Sequence, residues 1–523
     1  MITGRGLVFA SAMAMLAAIC VAPLVVLLTA PAWVGRWDAY RSAILDARQI
    51  GLLVNSLRIA GSVAVVATAI GGFMGFLLAR APIRARNVVR LGLCVPVLIP
   101  TYALALAWIF ATSLESFAAR LVGLDVIVPL TYSPVGAIIV LAIALYPVPM
   151  LATEAAVRRI ESRLEEAALL VAPAARVLTR ITLPLLWPAI ASSALLTFVL
   201  ALSDYAVPNL LRQRVFTTEV FTAFAALYDS TRAAALALPL LAMALVVAYL
   251  IVRRSAGVVD VSRPSSRIGI GFPGIRPLAL TAVVCVFGIG AGLPVGTLGI
   301  EARSLGAIRE ALARSGSAIG ESLVLASVAA TITAAVALVL GHRRARSTRS
   351  LAHWADAALI ALFAVPGTLI GVGLIELWNR PGLSGVVYGT SAIIVIAYLA
   401  RFMPVAILIV SAGVRRVSQS TEEAAALSGA GWIRTMRHIV IPQIAGSLVV
   451  AWVIVFVLAF GEVGASVLVA PAGHTPYPVQ VLTLIANTRP EHVAALALVQ
   501  TLVVVCALSV ASVYLALSPR RHD

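Results

Sequence analysis

The polar residues best suited to bind a partner lie in two short stretches that repeat one pattern. Residues 158–188 (the first loop) and 415–443 (the second loop) each place an Arg-Arg pair seven positions before Glu-Glu-Ala-Ala. A small residue follows six positions after the second glutamate, Ala172 in one copy and Gly429 in the other. Carboxylates near a helix start bind N–H groups and cationic side chains. The chemistry that the pattern indicates is docking, with no nucleophile or paired acid and base for bond breaking.

Each loop is expected to fold as two short helices joined by a bend. Ser162 with Glu165, and Ser420 with Glu423, fit a capping box that starts the first helix, and the alanines that follow extend it at little cost. The bend is predicted at the small residue that comes next, because glycine permits a sharp turn and a proline starts a new helix well. An ordinary amphipathic loop helix would explain one copy, but it does not explain two copies with matching spacing.

At these residues the sequence resembles the cytoplasmic loop of ABC importer permeases of the MetI-like type. The family pattern is Glu-Ala-Ala, three residues, Gly, and a downstream Ile-x-Leu-Pro. The resemblance implies that the matching residues couple the chain to an ATPase. They are Glu166, Ala167, Ala168, Ala172 and Pro184 in the first loop, and Glu423, Ala424, Ala425, Gly429 and Pro442 in the second.

The first loop departs from the family pattern in two ways. It has Ala172 where the family has glycine, and it is one residue shorter from the motif glutamate to the proline, 18 positions (184 − 166) against 19 (442 − 423) in the second loop. We therefore expect the first loop to dock less tightly than the second.

The composition is that of a membrane protein. Hydrophobic residues make up 61% of the 523, charged residues only 12%, and the mean hydropathy is +1.03. A soluble chain could not bury so much apolar surface. The sequence contains no lysine, so all 39 of its Lys-plus-Arg residues are arginines, and a Walker A loop with its Gly-Lys pair is excluded. We expect no ATPase and no cofactor in this chain.

The predicted fold class is all-α and polytopic, with about 12 transmembrane helices. Each apolar run is long enough to cross a bilayer. The first lacks a small-residue cleavage site and is expected to be a retained span. The runs fall at 6–29, 57–79, 91–112, 135–153, 186–208, 233–252, 277–298, 322–341, 355–377, 391–413, 444–468 and 493–517.

Arginines are concentrated on one side of the predicted membrane. With both termini and the two loops placed inside, most arginines lie in inner segments, including Arg84, Arg86, Arg90 and the run at 342–346. This positive-inside bias accounts for the net charge of +17. A nucleic-acid partner would need a clustered basic patch with interleaved aromatics, and we expect none. The resemblance implies a bacterial inner membrane, crossed several times, with both termini cytoplasmic.

The two halves repeat each other. The distance from Asn55 to Pro100 equals that from Glu321 to Pro366 (100 − 55 = 366 − 321). An even number of spans in each half makes these parallel six-helix repeats, related by an axis along the membrane normal. The predicted domains are a first permease domain at 1–252, a cytoplasmic linker at 253–276 and a second permease domain at 277–523.

Four residues inside predicted spans are candidates for the translocation path. Asp204 and Glu462 occupy matching positions, each six residues after a matching phenylalanine, and Arg401 lies within a span. Charged groups in a bilayer are costly and face a cavity or a partner. Tyr102 follows the helix-breaking Pro100. Two interpretations stay open: the acids line the path, or they do not and are either solvated at the membrane interface or in a structural ion pair with Arg401.

The remaining reactive residues form no catalytic or metal-binding set. No histidine pairs with another histidine or a cysteine at metal-ligand spacing. His474 and His492 flank an outer loop, where contact with a docked partner and simple solvation are the alternatives. The cysteines lie in apolar runs and are interpreted as small core residues: Cys20, Cys94, Cys285 and Cys506.

The resemblance covers both halves and implies two fused permease domains, each a core helical bundle with a peripheral first span. It also implies two copies of a separate ATPase that binds ATP-Mg, and an extracytoplasmic solute-binding protein. In this family a fused double permease is typical of ferric-iron, thiamine and 2-aminoethylphosphonate importers. Stretches at 99–105, 378–381 and 399–404 look most like the ferric-iron branch, and the two acids suit a cation. We expect ferric iron, with thiamine or the phosphonate as alternatives.

Two alternatives come from other classes of protein. A channel or ion-coupled carrier would place acids or histidines at the membrane midplane and would need no dock for an ATPase, so the duplicated loops argue against it. An intramembrane enzyme would need paired catalytic residues, which the sequence does not display.

Overall fold

The computed structural model describes residues 4–33, 35–113, 116–122, 128–255, 275–380, 382 and 384–517, and within these ranges all regular structure is helical. Nine helices there are long and apolar enough to cross a membrane. The predicted all-α polytopic class is therefore confirmed. The nine are Gly6–Trp33, Ala47–Arg80, Ala174–Ser203, Ser230–Arg253, Arg276–Glu301, Leu305–Ala345, Ala392–Val414, Trp432–Phe460 and Pro490–Tyr514.

Three further spans are sharply bent helix pairs, which bring the total in the described ranges up to 12 if each pair crosses once. The breaks near Pro100 and Pro366 fall inside the apolar runs predicted at 91–112 and 355–377, because a proline cannot extend the preceding helix. The pairs are Arg86–Leu98 with Thr101–Thr112 (88°), Pro134–Leu145 with Pro147–Val157 (42°), and Ser350–Ala364 with Gly367–Trp378 (90°).

Shorter helices connect the spans, and π-helical turns interrupt several of them. The short helices are Trp37–Leu45, Phe117–Val122, Val128–Thr131, Ser162–Leu169, Ala206–Leu210, Phe216–Phe221, Gln419–Leu427, Ser466–Val469 and Tyr477–Ile485. The π-helical turns are Ala17–Val21, Leu178–Thr182, Thr222–Ala226, Gly288–Gly292, Ser384–Tyr388 and Met436–Val440.

The repeat seen in the sequence is present in individual hydrogen bonds. The hydroxyl of Ser56 accepts a bond from the backbone N–H of Phe216 at 2.8 Å, and the hydroxyl of Ser322 accepts one from Tyr477 at 2.8 Å. The two serines are 266 positions apart (322 − 56). Each tie fixes a long second span to a short helix that lies between the fifth and sixth spans of the same half.

The first span of each half packs against the other half. Gly6–Trp33 lies on Gly367–Trp378, so closely that a Cβ on Gly373 would stand 2.6 Å from the carbonyl oxygen of Pro23. Arg276–Glu301 lies on the bent span of the first half. The fully buried carboxylate of Glu301 accepts hydrogen bonds there from Ser116 Oγ (2.7 Å) and the N–H of Ala118 (2.9 Å). This exchange of first spans holds the halves together.

Most of the predicted linker, residues 256–274, lies outside the described residues, so the domain boundaries at 252 and 277 stay predictions.

Candidate docking loops and an intramembrane acid cluster

The two loops fold as pairs of short helices with a bend, as the sequence predicts. The first helix of the first loop is Ser162–Leu169, and Pro173 precedes the next helical turn; in the second loop Gln419–Leu427 is followed by a turn at Gly429. The predicted capping boxes are absent from both loops, because the N-cap residues are Glu161 and Ser418 and neither side chain makes a capping hydrogen bond.

The first loop is anchored to its own membrane domain by a buried ion pair. Glu165 Oε1 accepts hydrogen bonds from the guanidinium of Arg80 at 2.7 Å and from the hydroxyl of Thr182 at 2.7 Å. Both charged side chains are 4% exposed. Because Arg80 ends the second span and Thr182 lies at the start of the fifth, one carboxylate ties two spans to the loop.

The second loop has the corresponding anchor with a different third member. Glu422 accepts hydrogen bonds from Arg346 at 2.6 Å and 3.1 Å, and His342 Nε2 lies 2.9 Å from its other oxygen. Val440 stands where the first loop has Thr182, so it offers no hydroxyl. Partial burial alone would raise the pKa of Glu422, but the hydrogen bonds from Arg346 and His342 outweigh it and hold that pKa below its ordinary value.

The sequence reasoning assigned docking to the second glutamate of each pair and missed the anchoring role of the first. Glu166 and Glu423 are exposed, as a partner-binding residue must be, and Glu423 also accepts a hydrogen bond from Gln419 at 2.8 Å. A signal for the anchors existed. Arg80 and Arg346 are 266 positions apart (346 − 80), the same spacing as the serines that open the two spans.

The bends of the two loops differ in backbone conformation. Gly429 has φ +78, and the N–H groups of Ala430 and Gly429 bond the carbonyls of Ala425 and Ala426, which is a Schellman ending. Ala172 has no positive φ and bonds the carbonyl of Ala168 at 2.9 Å. The extra residue of the second loop lies after the bend, because the next helical turn begins three positions after Gly429 (432 − 429) but two positions after Ala172 (174 − 172).

Apolar side chains project from both bends into open space. Leu170 is 87% exposed and Val171 is 86% exposed in the first loop, and Leu427 is 91% exposed in the second. Exposed leucine and valine beside an exposed carboxylate form a surface suited to a protein groove. These loops therefore present what a docking partner would need.

Inside the membrane, the predicted ion pair is present. Arg401 lies 3.5 Å from Glu462, whose buried carboxylate also accepts the backbone N–H groups of Ala465 and Ser466, each at 3.0 Å. A Cβ on Gly367, the residue after the 90° bend, would collide with both charged groups. The bend of the second half therefore packs directly on the pair.

The remaining path candidates lie at the contact between the halves. Asp204 is half-buried, accepts the N–H of Val207 at 2.9 Å, and lies where the charge of Arg401 acts on it. Tyr102 is fully buried, and its hydroxyl has no hydrogen-bond partner among the described residues. Pro100 packs on Gly461, whose Cβ would lie 3.0 Å from the proline ring. The structure thus groups the candidates near both bends, while their role in a path stays a prediction.

Other sequence candidates are placed less centrally. His474 pairs with Glu321 at 2.6 Å, and His492 lies 3.0 Å from Glu310. The interpretation of the cysteines as core residues holds for Cys20 and Cys94 but is wrong for Cys285 and Cys506, which are exposed on helices that cross the membrane. Within the described ranges, no group of three or more His, Cys, Asp or Glu side chains is arranged to hold a metal ion.

Comparison with known proteins agrees with this architecture. The family model described as "binding-protein-dependent transport system inner membrane component" matches residues 67–260 and 334–523, more than half of the chain. The chain is 25% identical to Fe(3+)-transport system permease protein FbpB 2 of Haemophilus influenzae, over 80% of this chain and 81% of that protein.

Two further relatives bear on the same question. The chain is 24% identical to the putative ferric transport system permease protein FbpB 1 of Haemophilus influenzae, over 82% of this chain and 71% of that one. It is 29% identical to the putative 2-aminoethylphosphonate transport system permease protein PhnV of Salmonella paratyphi A, over 28% of this chain and 54% of that one. With two matched repeats and two anchored loops, the chain belongs to the inner-membrane permease components of binding-protein-dependent transport systems, as a fused double permease.

Proposed function

We propose that this chain is the transmembrane permease subunit of a binding-protein-dependent ABC importer that carries ferric iron inward by ATP-driven alternating access. Two copies of a separate ATPase, each with ATP-Mg, dock on the two loops, and a solute-binding protein delivers iron to the opposite face. Both termini and both loops are cytoplasmic in this arrangement. The observation that carries the proposal is the pair of anchors Arg80–Glu165 and Arg346–Glu422, which hold two exposed loops rigidly to the membrane domain.

The anchors support coupling because of where they lie. A short helix pushed by a partner transmits the displacement only if it is fixed to the spans that must move. Glu165 contacts the second and fifth spans of its half, and Glu422 contacts the second span of the other half. A channel or an ion-coupled carrier has no need of two such fixed, exposed loops.

Ferric iron is favoured as the substrate by two observations. The relatives that cover most of this chain are named as ferric permeases, whereas the phosphonate relative aligns over a smaller part. The charged candidates inside the spans are two acidic residues and one arginine, a composition that suits a cation better than an anion. Thiamine, also a cation, and 2-aminoethylphosphonate are the alternative substrates.

The substrate assignment is tested by reconstitution. The chain, the ATPase and the binding protein encoded beside it are assembled in liposomes, and uptake of radiolabelled ferric iron is measured with and without ATP. We expect ATP-dependent iron uptake that excess thiamine and 2-aminoethylphosphonate leave unchanged. ATP-dependent uptake of radiolabelled thiamine or 2-aminoethylphosphonate, with no iron uptake, would replace the substrate while keeping the importer.

A further inference from the structure

A positively charged depression lies where the first bent span begins, on the side of the membrane that carries the loops. Its volume is about 350 Å³, and it is lined by Ile83, Ala85, Arg86, Asn87, Val88 and Arg158. It joins the turn before Arg86–Leu98 to the end of the helix that leads into the first loop. A ligand bound here would touch both segments.

The guanidinium groups around this depression are not neutralised within the protein. Arg158 and Arg90 share one buried carboxylate, Glu154, at 2.6 Å and 3.9 Å. Arg86 donates to the backbone carbonyl of Ala81 at 3.0 Å, and its Nε is buried with no hydrogen-bond partner among the described residues. Three positive charges therefore face one negative charge, and a guanidinium N–H stays unpaired.

The arginines of this segment are placed differently in the two halves. At the spacing of 266 positions the second half has Ser350, Ala352 and Asp356 where the first half has Arg84, Arg86 and Arg90. It carries its own arginines earlier in the segment, at 343, 344, 346 and 349, so both halves keep the positive-inside bias. Orientation of the chain requires positive charge on this side, but it does not require that charge at position 86.

The depression also has an apolar side. Val88 lines it and is 69% exposed, and Leu91, one turn further along the same helix, is 47% exposed. Guanidinium groups bind phosphate oxygens with two parallel hydrogen bonds, and basic pockets between spans accept lipid head groups. The combination fits a phosphate that is carried on an acyl chain.

We infer that Arg86 and Arg158 bind the phosphate of an anionic phospholipid from the leaflet on the side of the loops. The lipid would hold the turn at 83–88 against the end of the helix that precedes the first loop. This site is distinct from the proposed substrate pathway and does not depend on which solute is carried.

The test compares two variants that lose the same charge from the same turn. Arg86→Gln removes a lining residue without breaking an ion pair, and Arg84→Gln removes an exposed arginine outside the lining. The purified, delipidated full chain is titrated with phosphatidylglycerol or phosphatidylcholine, and the first bound lipid is quantified by native mass spectrometry. We expect Arg86→Gln to weaken phosphatidylglycerol binding about fivefold, and Arg84→Gln to weaken it less than about twofold.

Three results would decide against the inference. Equal losses in Arg84→Gln and Arg86→Gln would show that only overall charge matters. Equal affinity for phosphatidylglycerol and phosphatidylcholine would show that the site is not selective for an anion. Displacement of the lipid by low millimolar sodium phosphate would keep a phosphate site but overturn the lipid as its source. Arg86→Lys, which keeps the charge, should bind more tightly than Arg86→Gln and confirms that the site is folded.

Discussion

The carboxylate of Glu165 and the guanidinium of Arg80 lie 2.7 Å apart, and both are almost completely buried, although 85 positions separate them in the chain. Glu422 and Arg346 repeat this relationship in the second half. A buried pair of this kind contributes little net stability, but removal of one partner strands the other charge at a cost of about 3–5 kcal/mol. The ion pair therefore holds the first loop in a fixed position relative to the second span.

The first prediction distinguishes the effect of the Arg80–Glu165 ion pair from the effect of the exposed Glu166 beside it. Glu165→Ala should destabilise the chain by about 3–5 kcal/mol, because Arg80 is left buried and unpaired, whereas Glu166→Ala should change stability by less than about 0.5 kcal/mol. Thermal unfolding of the purified variants measures both. Arg80→Met combined with Glu165→Leu is the control and should restore most of the lost stability. Equal stability of the two alanine variants would contradict the claim that the Arg80–Glu165 ion pair fixes the loop to the span.

The second prediction concerns acid. The pKa of Glu422 is lowered in the folded chain, so its anchor stabilises the loop fully above the ordinary glutamate pKa of about 4.3, and that stabilisation is lost as the pH falls through the lower folded value. The unfolding free-energy difference between wild type and Glu422→Gln should therefore be constant near neutral pH and shrink below about pH 4. A difference that grows towards low pH would contradict the assignment.

The third prediction concerns the bends. Gly429 has φ +78, a left-handed conformation that aspartate adopts at a smaller cost than most residues with a Cβ. Gly429→Asp should nevertheless abolish stimulation of the ATPase by the loaded binding protein, mainly because it adds a negative charge at the docking surface. Ala172→Asp should have a smaller effect and Ala172→Gly a mild one, because Ala172 has no positive φ. Open space surrounds Gly429.

That open space provides a control for the third prediction. Gly429→Asn should retain most activity, because asparagine tolerates the left-handed conformation and meets no neighbouring atom. Glu423→Ala should also reduce stimulated ATPase activity more than Glu166→Ala, since the second loop carries the full family spacing. Equal damage from matched substitutions in both loops would refute the asymmetry.

The fourth prediction decides between the two interpretations of the intramembrane charges. Asp204→Asn combined with Glu462→Gln keeps the size of both side chains and removes both negative charges. If the acids line the path, uptake should fall while assembly and basal ATPase activity survive. If they are structural, the unpaired Arg401 should lower expression or the thermal midpoint. Uptake in liposomes and thermal unfolding are measured on the same preparation.

The sequence predicts the parts of this protein that depend on local pattern. The apolar runs, the repeat spacing and the bends of the loops follow from residue types within a few positions, and Pro100 and Pro366 mark where two spans break. The anchors were missed because Arg80 and Glu165 meet only after the long second span packs beside the loop. The capping box of the first loop was predicted wrongly for the same reason, since Glu165 bonds Arg80. In the second loop the helix begins before Ser420, and Glu423 accepts a hydrogen bond from Gln419.

The exchange of first spans could not be predicted either. Nothing in the apolar run at 6–29 specifies that Pro23 will pack on Gly373 in the other half. The contact forms because Gly373, far away in the sequence, has no side chain. A single sequence does not reveal which distant glycine Pro23 will contact.

The coupling of this permease to a separate ATPase through two anchored loops can be tested by reversing the charge of both exposed motif glutamates. Glu166→Arg combined with Glu423→Arg leaves both anchors intact, so the chain should fold normally. In liposomes with the ATPase and the binding protein, we expect ATP-dependent uptake by the wild type and loss of both uptake and stimulated ATP hydrolysis in the double variant. Normal uptake by the double variant, or ATP hydrolysis by the purified chain alone, would contradict it.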